Sequence, residues 1–135
     1  MFKNFYSLIE IPSIDTSNCT NFNDMFNGCY SITSIPQLDT SNVVYMTTTF
    51  RSCYNVIDMP IFNLGKVTSM QNTWYGCSAL SNQSLNNILQ SIAGATSYNG
   101  TKTLAYIGLD STQATTCTGL SNWSACQSAG WTTGY

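Results

Sequence analysis

Apolar residues recur along this chain at one fixed interval. Leu8, Ile32, Val56, Leu80 and Leu104 stand 24 apart, as do Ile11, Ile35 and Met59, and Ile14, Leu38 and Phe62. Phe22, Met46 and Met70 keep the same step, and so do Phe26, Phe50 and Trp74. Proline at 12, 36 and 60 and cysteine at 29, 53 and 77 share the register, with a constant offset of 17 between the two series. Self-similarity at such a period is the signature of stacked repeats, each burying its apolar columns only against its neighbours. The expected fold class is a β-rich α/β solenoid: 24-residue turns stacked with a short parallel sheet, closed by a C-terminal helix-and-strand cap.

Within each repeat an apolar pair (Leu8/Ile11, Ile32/Ile35, Val56/Met59) precedes the proline. Proline cannot donate to a ladder and holds its predecessor extended, so residues 7–11, 31–35 and 55–59 are predicted as short parallel strands. Val43 to Met46 and Val67 to Met70 read as a second extended segment, and Met25 to Cys29 as a tight turn or single helical turn. The Asp-Thr-Ser-Asn stretches at 15–18 and 39–42 are turn chemistry, and the third copy, Asn63-Leu64-Gly65-Lys66, is a degenerate version that keeps a turn glycine. Residues 1–80 thus form an array of three full repeats plus a partial first one.

After Ser78 the period changes. Ser81 is placed to cap a helix whose Leu85, Ile88, Leu89 and Ile92 fall on one face, with Gly94 as its stop. A loop over 96–101 leads to a predicted strand at 103–108. Ser111 caps a further helical stretch, interrupted near Gly119 and ending by Gly130, and the tail 130–135 reads as a last edge strand. Residues 81–135 are expected to cover one end of the solenoid. At the other end the register starts in mid-repeat at Met1, which fits either the C-terminal portion of a longer array or an open edge covered by another subunit.

Composition narrows the function. Only 7% of the 135 residues are charged, with four basic and six acidic side chains, no histidine and a net charge of −2. Ser, Thr and Asn together make 49 residues, so the exterior is polar but almost uncharged. Four basic residues make no footprint for nucleic acid. No apolar run approaches the roughly 20 residues that span a bilayer, so no membrane insertion is expected. The lack of histidine removes the commonest general base and zinc ligand. No nucleophile, phosphate-loop or metal-ligand spacing is present, so the expectation is a non-enzyme with no cofactor and no metal. Asp15 and Asp39, 24 apart, belong to turns rather than to acid–base chemistry.

The repeats, written Asp-Thr-Ser-Asn-x-x-x-Met/Phe-x-x-x-Phe-x-x-Cys-x-x-Ile-x-x-Ile-Pro, resemble BspA-like leucine-rich repeats of microbial surface and phage tail proteins. The resemblance covers residues 1 to about 80, and more loosely the segment 81–135. It departs at Thr49 and Thr73, where the family tends to have Met, and at Leu64-Gly65. It implies a leucine-rich-repeat stack used for adhesion or receptor recognition, with no catalytic activity.

Three of the six cysteines share a column with Phe5, and Cys19 shares one with Val43 and Val67. Side chains in a column point in parallel, so these positions are expected to be buried free thiols. For Cys117 and Cys126, nine apart, both a bridge and free thiols fit the spacing. Recognition is sought among columns that vary. Thr33 and Ile57 with Ile9, and Asp58 with Glu10 and Ser34, form two ladders on the sheet's open side. Tyr30 and Tyr54 with Tyr6 form an aromatic row, and Arg51 and Tyr75 differ from Lys3 and Asn27 of other copies. Tyrosine-rich, weakly charged faces suit protein or sugar recognition, although rings in this place also cover a core edge. The expected role is binding of a host-surface protein or glycan from a virion tail or microbial cell surface, outside the cell. The lack of a signal-peptide pattern tilts this toward a virion. The alternative is a structural module whose N-terminal edge stacks on another subunit or on upstream repeats.

Overall fold

A computed structural model describes residues 1–135. The 24-residue units do stack, but not as strands. Backbone N–H groups of Phe22, Asp24, Phe26 and Gly28 donate to the carbonyls of Tyr45, Thr47, Thr49 and Arg51 at 2.8–3.1 Å. One unit on, Met46, Thr48, Phe50 and Ser52 donate to Ser69, Gln71, Thr73 and Tyr75. The residues between them turn inward on their own coil instead: Met25, Asn27 and Cys29 donate to Phe22, Asp24 and Phe26. Alternate N–H groups therefore tie neighbouring coils, and the others close tight turns.

This corrects the expected β-rich solenoid with its parallel sheet. Helix covers 21% of the chain and strand 5%, with no sheet. The bridges are isolated parallel ones, Asn21 with Tyr45, Tyr45 with Ser69, Ser34 with Asp58 and Thr103 with Thr132. Residues 7–11, 31–35 and 55–59 are irregular, linked by one bridge at Ser34 and Asp58, and 43–46 and 67–70 by one at Tyr45 and Ser69. The physical reason lies in the spacing and in the prolines. Ile32 and Ile35 are three apart, which puts them on opposite faces of a strand, yet both are buried. Pro36 and Pro60 then remove the next donor of any ladder.

The turns bend through the left-handed region at two registers. Asp24, Thr48 and Asn72 have φ of 57, 55 and 52°, and Asn4, Gly28, Ser52 and Gly76 have φ of 63, 79, 61 and 79°. In the second column Ser52 carries a side chain where both neighbours have glycine. Ser52→Gly is expected to raise stability by about 0.5 to 1 kcal/mol, the left-handed strain outweighing the extra chain entropy of glycine. A thermal melt that falls instead would contradict this turn geometry.

Inside the coils the columns run as continuous rows. Phe2, Phe26 and Phe50 stack with ring centroids 5.5 and 5.7 Å apart, and Phe62 continues the stack at 5.7 Å. Cys29, Cys53 and Cys77 are buried and free, and each thiol donates to a carbonyl of the preceding coil (Phe2, Phe26 and Phe50) at 3.2 Å. Thr49 and Thr73 are fully buried and hydroxyl-bonded, Thr49 within 2.9 Å of Phe22 O and Thr73 within 2.8 Å of Met46 O. In the outer turns Asp15 and Asp39 accept from Ser17 N and Ser41 N, and Asn63 accepts from Gly65 N in the same way, so the degenerate third turn keeps its closure. Thr16 and Thr40 staple each turn to the next, donating to Asp39 O and Asn63 O at 2.9 Å.

The cap holds four helices, α1 (Asn82–Ala93), α2 (Leu104–Ile107), α3 (Ser111–Cys117) and α4 (Trp123–Ser128). Ser81 caps α1, whose Leu85, Ile88, Leu89 and Ile92 are buried, and Gly94 ends it. Polar side chains of α1 satisfy backbone that a further coil would otherwise meet: Ser84 Oγ accepts from Met59 N at 2.8 Å and Ser91 Oγ from Phe62 N at 2.9 Å. The predicted strand at 103–108 is α2 instead. Thr103 Oγ1 caps it, Leu104 and Ile107 sit three apart on its buried side, and Gly108 ends it with φ 100°. Its carbonyls take over the coil ladder, Tyr106 O and Ile107 O accepting from Asn72 N and Trp74 N. Asp110, rather than Ser111, caps α3 through a capping box with Gln113. The tail makes one bridge at Thr132 and no strand, and Trp131 is buried against Tyr98, ring centroids 5.7 Å apart. Cys117 and Cys126 are buried and unbridged, Cys126 donating to Leu89 O. No helix is long and apolar enough to cross a membrane.

Burial pushes the thiols up, Cys53 and Cys126 to about 12 and Cys117 to about 11. Only Cys19 of the six is part-exposed. Dithionitrobenzoate at pH 8 is therefore expected to titrate one thiol quickly in the native chain and six after denaturation. Fast reaction of a second thiol would contradict the buried column.

Candidate functional site

The candidate recognition residues are all exposed. Tyr6, Tyr30 and Tyr54 form a ladder with ring centroids 4.8 and 5.2 Å apart, and the three side chains are 53, 39 and 47% exposed. Tyr30 and Tyr54 each follow a fully buried cysteine, Cys29 and Cys53, so their spacing is set by the coil repeat rather than by the rings. The chain around them is stapled, with Ser31 Oγ donating to Tyr6 O at 2.6 Å and Asn55 Nδ2 to Tyr30 O at 2.7 Å. Thr33, Ile57 and Asp58 are exposed, and Thr33 O accepts from Ile57 N at 2.8 Å. The expected sheet face is absent there, so these side chains project from irregular backbone. Arg51 sits over the Tyr75 ring, 5.3 Å from its centroid, at the C-terminal end of the row. Tyr75 and Tyr54 are not adjacent in the ladder, but both line one cleft.

That cleft, about 420 Å³, lies between the third coil and the cap. Tyr54, Asn72, Tyr75 and Ser78 form one wall, and Leu109, Asp110, Gln113 and Tyr135 the other. The cap residues were not anticipated from sequence, because their meeting with the coil depends on how 81–135 folds back. Ser78 carried the available signal: it stands where the tyrosine column should continue. Tyr135 is 69% exposed, with its hydroxyl donating to Leu109 O at 2.7 Å.

Electrostatic features are few. Lys3 and Asp24 make an ion pair at 3.0 Å near the N-terminal edge, both partners well exposed. Partial burial pushes the Asp24 carboxyl up, but hydrogen bonds from Asn27, Thr48 and Lys3, with the lysine charge, outweigh it and hold its pKa at about 2. A depressed carboxylate adds stability above its ordinary value and loses it as pH falls toward the folded one. Stability is thus expected to drop modestly between pH ~4 and ~2, and Asp24→Asn to flatten that part of the curve. An acid melt series on both proteins measures it; parallel curves would contradict the assignment. No three Cys, Asp or Glu side chains converge as a metal site would require.

Residues 1–103 match the family described as "Mycoplasma protein of unknown function, DUF285". The chain belongs to this family. The match spans the whole coil array and α1 and stops at residue 103, leaving α2, α3, α4 and the tail outside it. No curated protein and no solved structure matches the chain. DUF285 membership thus covers the tyrosine ladder but only one wall of the cleft.

Proposed function

We propose that this DUF285 chain is a non-enzymatic recognition module, displayed outside the cell on a microbial surface or virion tail, that binds a host-surface protein or glycan through its tyrosine ladder. The observation that carries the reading is the ladder itself, three half-exposed rings held at 4.8–5.2 Å on a stack whose interior is fully packed. Rings fixed in this way offer contact area at little entropic cost on binding. The resemblance of the repeats to BspA-like surface proteins supports the same role. The nearly uncharged Ser/Thr/Asn exterior suits a protein that works outside the cell. The test is a pull-down of the purified chain on animal and bacterial cells. Retention above that of a variant with Tyr6, Tyr30 and Tyr54 all replaced by Ser is expected, and equal retention refutes the proposal.

A second reading is favoured by a different surface. At the N-terminal edge Met1, Phe5 and Ile9 are 82, 54 and 76% exposed, and the phenylalanine stack comes to the surface at Phe2. This edge suits stacking on another subunit or on further repeats. Light scattering separates the two readings. Concentration-dependent self-association lost in Phe5→Ser supports assembly, whereas a monomer at all concentrations leaves the ladder as the functional face.

A further inference from the structure

The tyrosine ladder stops one ring short of its own register. Tyr6, Tyr30 and Tyr54 step by 24, and the next position, 78, is serine. Both Tyr54 and Ser78 line the coil–cap cleft, so the space where a fourth ring would stack is part of that cleft. Across it stands Tyr135, its ring fixed by the hydroxyl bond to Leu109 O at 2.7 Å. The cleft is therefore flat-walled and wide enough for a ring-sized guest, within the roughly 300–1,000 Å³ of ordinary small-ligand sites.

The polar groups at its rim say what kind of ring. Exposed Asp110 accepts from Gln113 N with one carboxylate oxygen, and the other has no partner. Asn72 spends its backbone N–H on Tyr106 O, while its half-buried carboxamide is unpaired. These offer a donor and several acceptors beside aromatic faces, the combination that takes a pyranose: apolar C–H face on the ring, hydroxyls at the edge. No lysine or arginine lines the cleft, and the Arg51 guanidinium is held over Tyr75. A carboxylate or phosphate ligand would meet the Asp110 carboxylate on the lining, and the one nearby guanidinium is engaged by the Tyr75 ring.

We infer that the cleft between the third coil and the cap binds a neutral sugar ring, stacked on Tyr54 as the missing fourth member of the ladder and hydrogen-bonded by Asn72 and Asp110. The inference deepens the recognition reading and rests on it, naming the ligand class and placing it at the end of the row. Its own test leaves Tyr6 and Tyr30 untouched, so the two fail separately.

The experiment is a titration of the full chain, followed by NMR, with neutral hexoses, N-acetylhexosamines and their disaccharides, and with hexuronic acids for comparison. At least one neutral sugar is expected to bind and the hexuronic acids not. Ser78→Tyr supplies the absent ring and is expected to weaken sugar binding about tenfold or more with an unchanged melting temperature. Asn72→Gly keeps the left-handed turn, removes the carboxamide, and decides the matter if Ser78→Tyr does not fold; the same loss is expected. Absence of sugar binding, full binding by both variants, or binding of tyrosine amide in place of sugar overturns the inference. Absence of sugar binding by an unaltered chain that is still retained on cells overturns the cleft alone and leaves the ladder reading standing.

Discussion

Gly108→Ala is expected to cost about 3 kcal/mol of stability or more, and to separate the cap from the coils before the coils themselves melt. Gly108 has φ 100°, where a side chain is strained in any surroundings. The surroundings make it worse. A Cβ there would lie 2.4 Å from Tyr75 N and 2.7 Å from Tyr75 Cα, backbone atoms that no rotamer change can move. Relief requires α2 to withdraw from the third coil. Withdrawal breaks the bonds from Asn72 N and Trp74 N to Tyr106 O and Ile107 O, both 2.9 Å, which join the array to its cap. Gly119→Ala is the control, since its Cβ would meet nothing nearer than Thr116 O at 3.7 Å. Thermal melts of the two variants check the contrast; equal behaviour would contradict the docking of α2.

The second large effect is at the middle of the aromatic stack. Phe50 is fully buried, with Phe26 and Phe62 on either side at 5.7 Å, and its carbonyl accepts the Cys77 thiol. Phe50→Ala removes a ring from between two others and is expected to cost about 3–5 kcal/mol. In a stack where each unit contacts only its neighbours, the loss falls on the interface with the Phe26 coil and on the packing against Phe62 of its own coil. Phe2→Ala, at the part-exposed end of the same row, is expected to cost much less. Chemical denaturation of both variants tests this, and a similar loss for the two would contradict the stacking order.

Much of the interior was legible before the fold was known, because a period of 24 assigns every buried column at once. The cysteine column is the clearest instance: a disulfide framework and a core row make the same count of six, and only the register with Phe5 separates them. The cap helix was equally plain, since Ser81, the apolar face of α1 and Gly94 agree. The sheet was misread for a reason visible in the residues. Ile32/Ile35 and Val56/Met59 are three apart, a spacing that does not share a face of a strand, and Leu104/Ile107 repeats it in what proved to be a helix between Thr103 and Gly108. The left-handed turns at Asp24, Thr48 and Asn72 left no trace of glycine in their column. The cleft was out of reach for another reason. Asp110, Gln113 and Tyr135 lie 32 or more positions beyond Ser78, and nothing periodic ties them to it.

The central claim is that the ordered tyrosine ladder is the binding face, and one comparison tests it most directly. Cell-surface retention should be measured for the unaltered chain and for a variant carrying Tyr6→Ser, Tyr30→Ser and Tyr54→Ser together, with melting curves recorded for both. These rings are half exposed, so the variant is expected to fold and to lose most of its retention. A folded variant that binds cells as well as the unaltered chain would contradict the account.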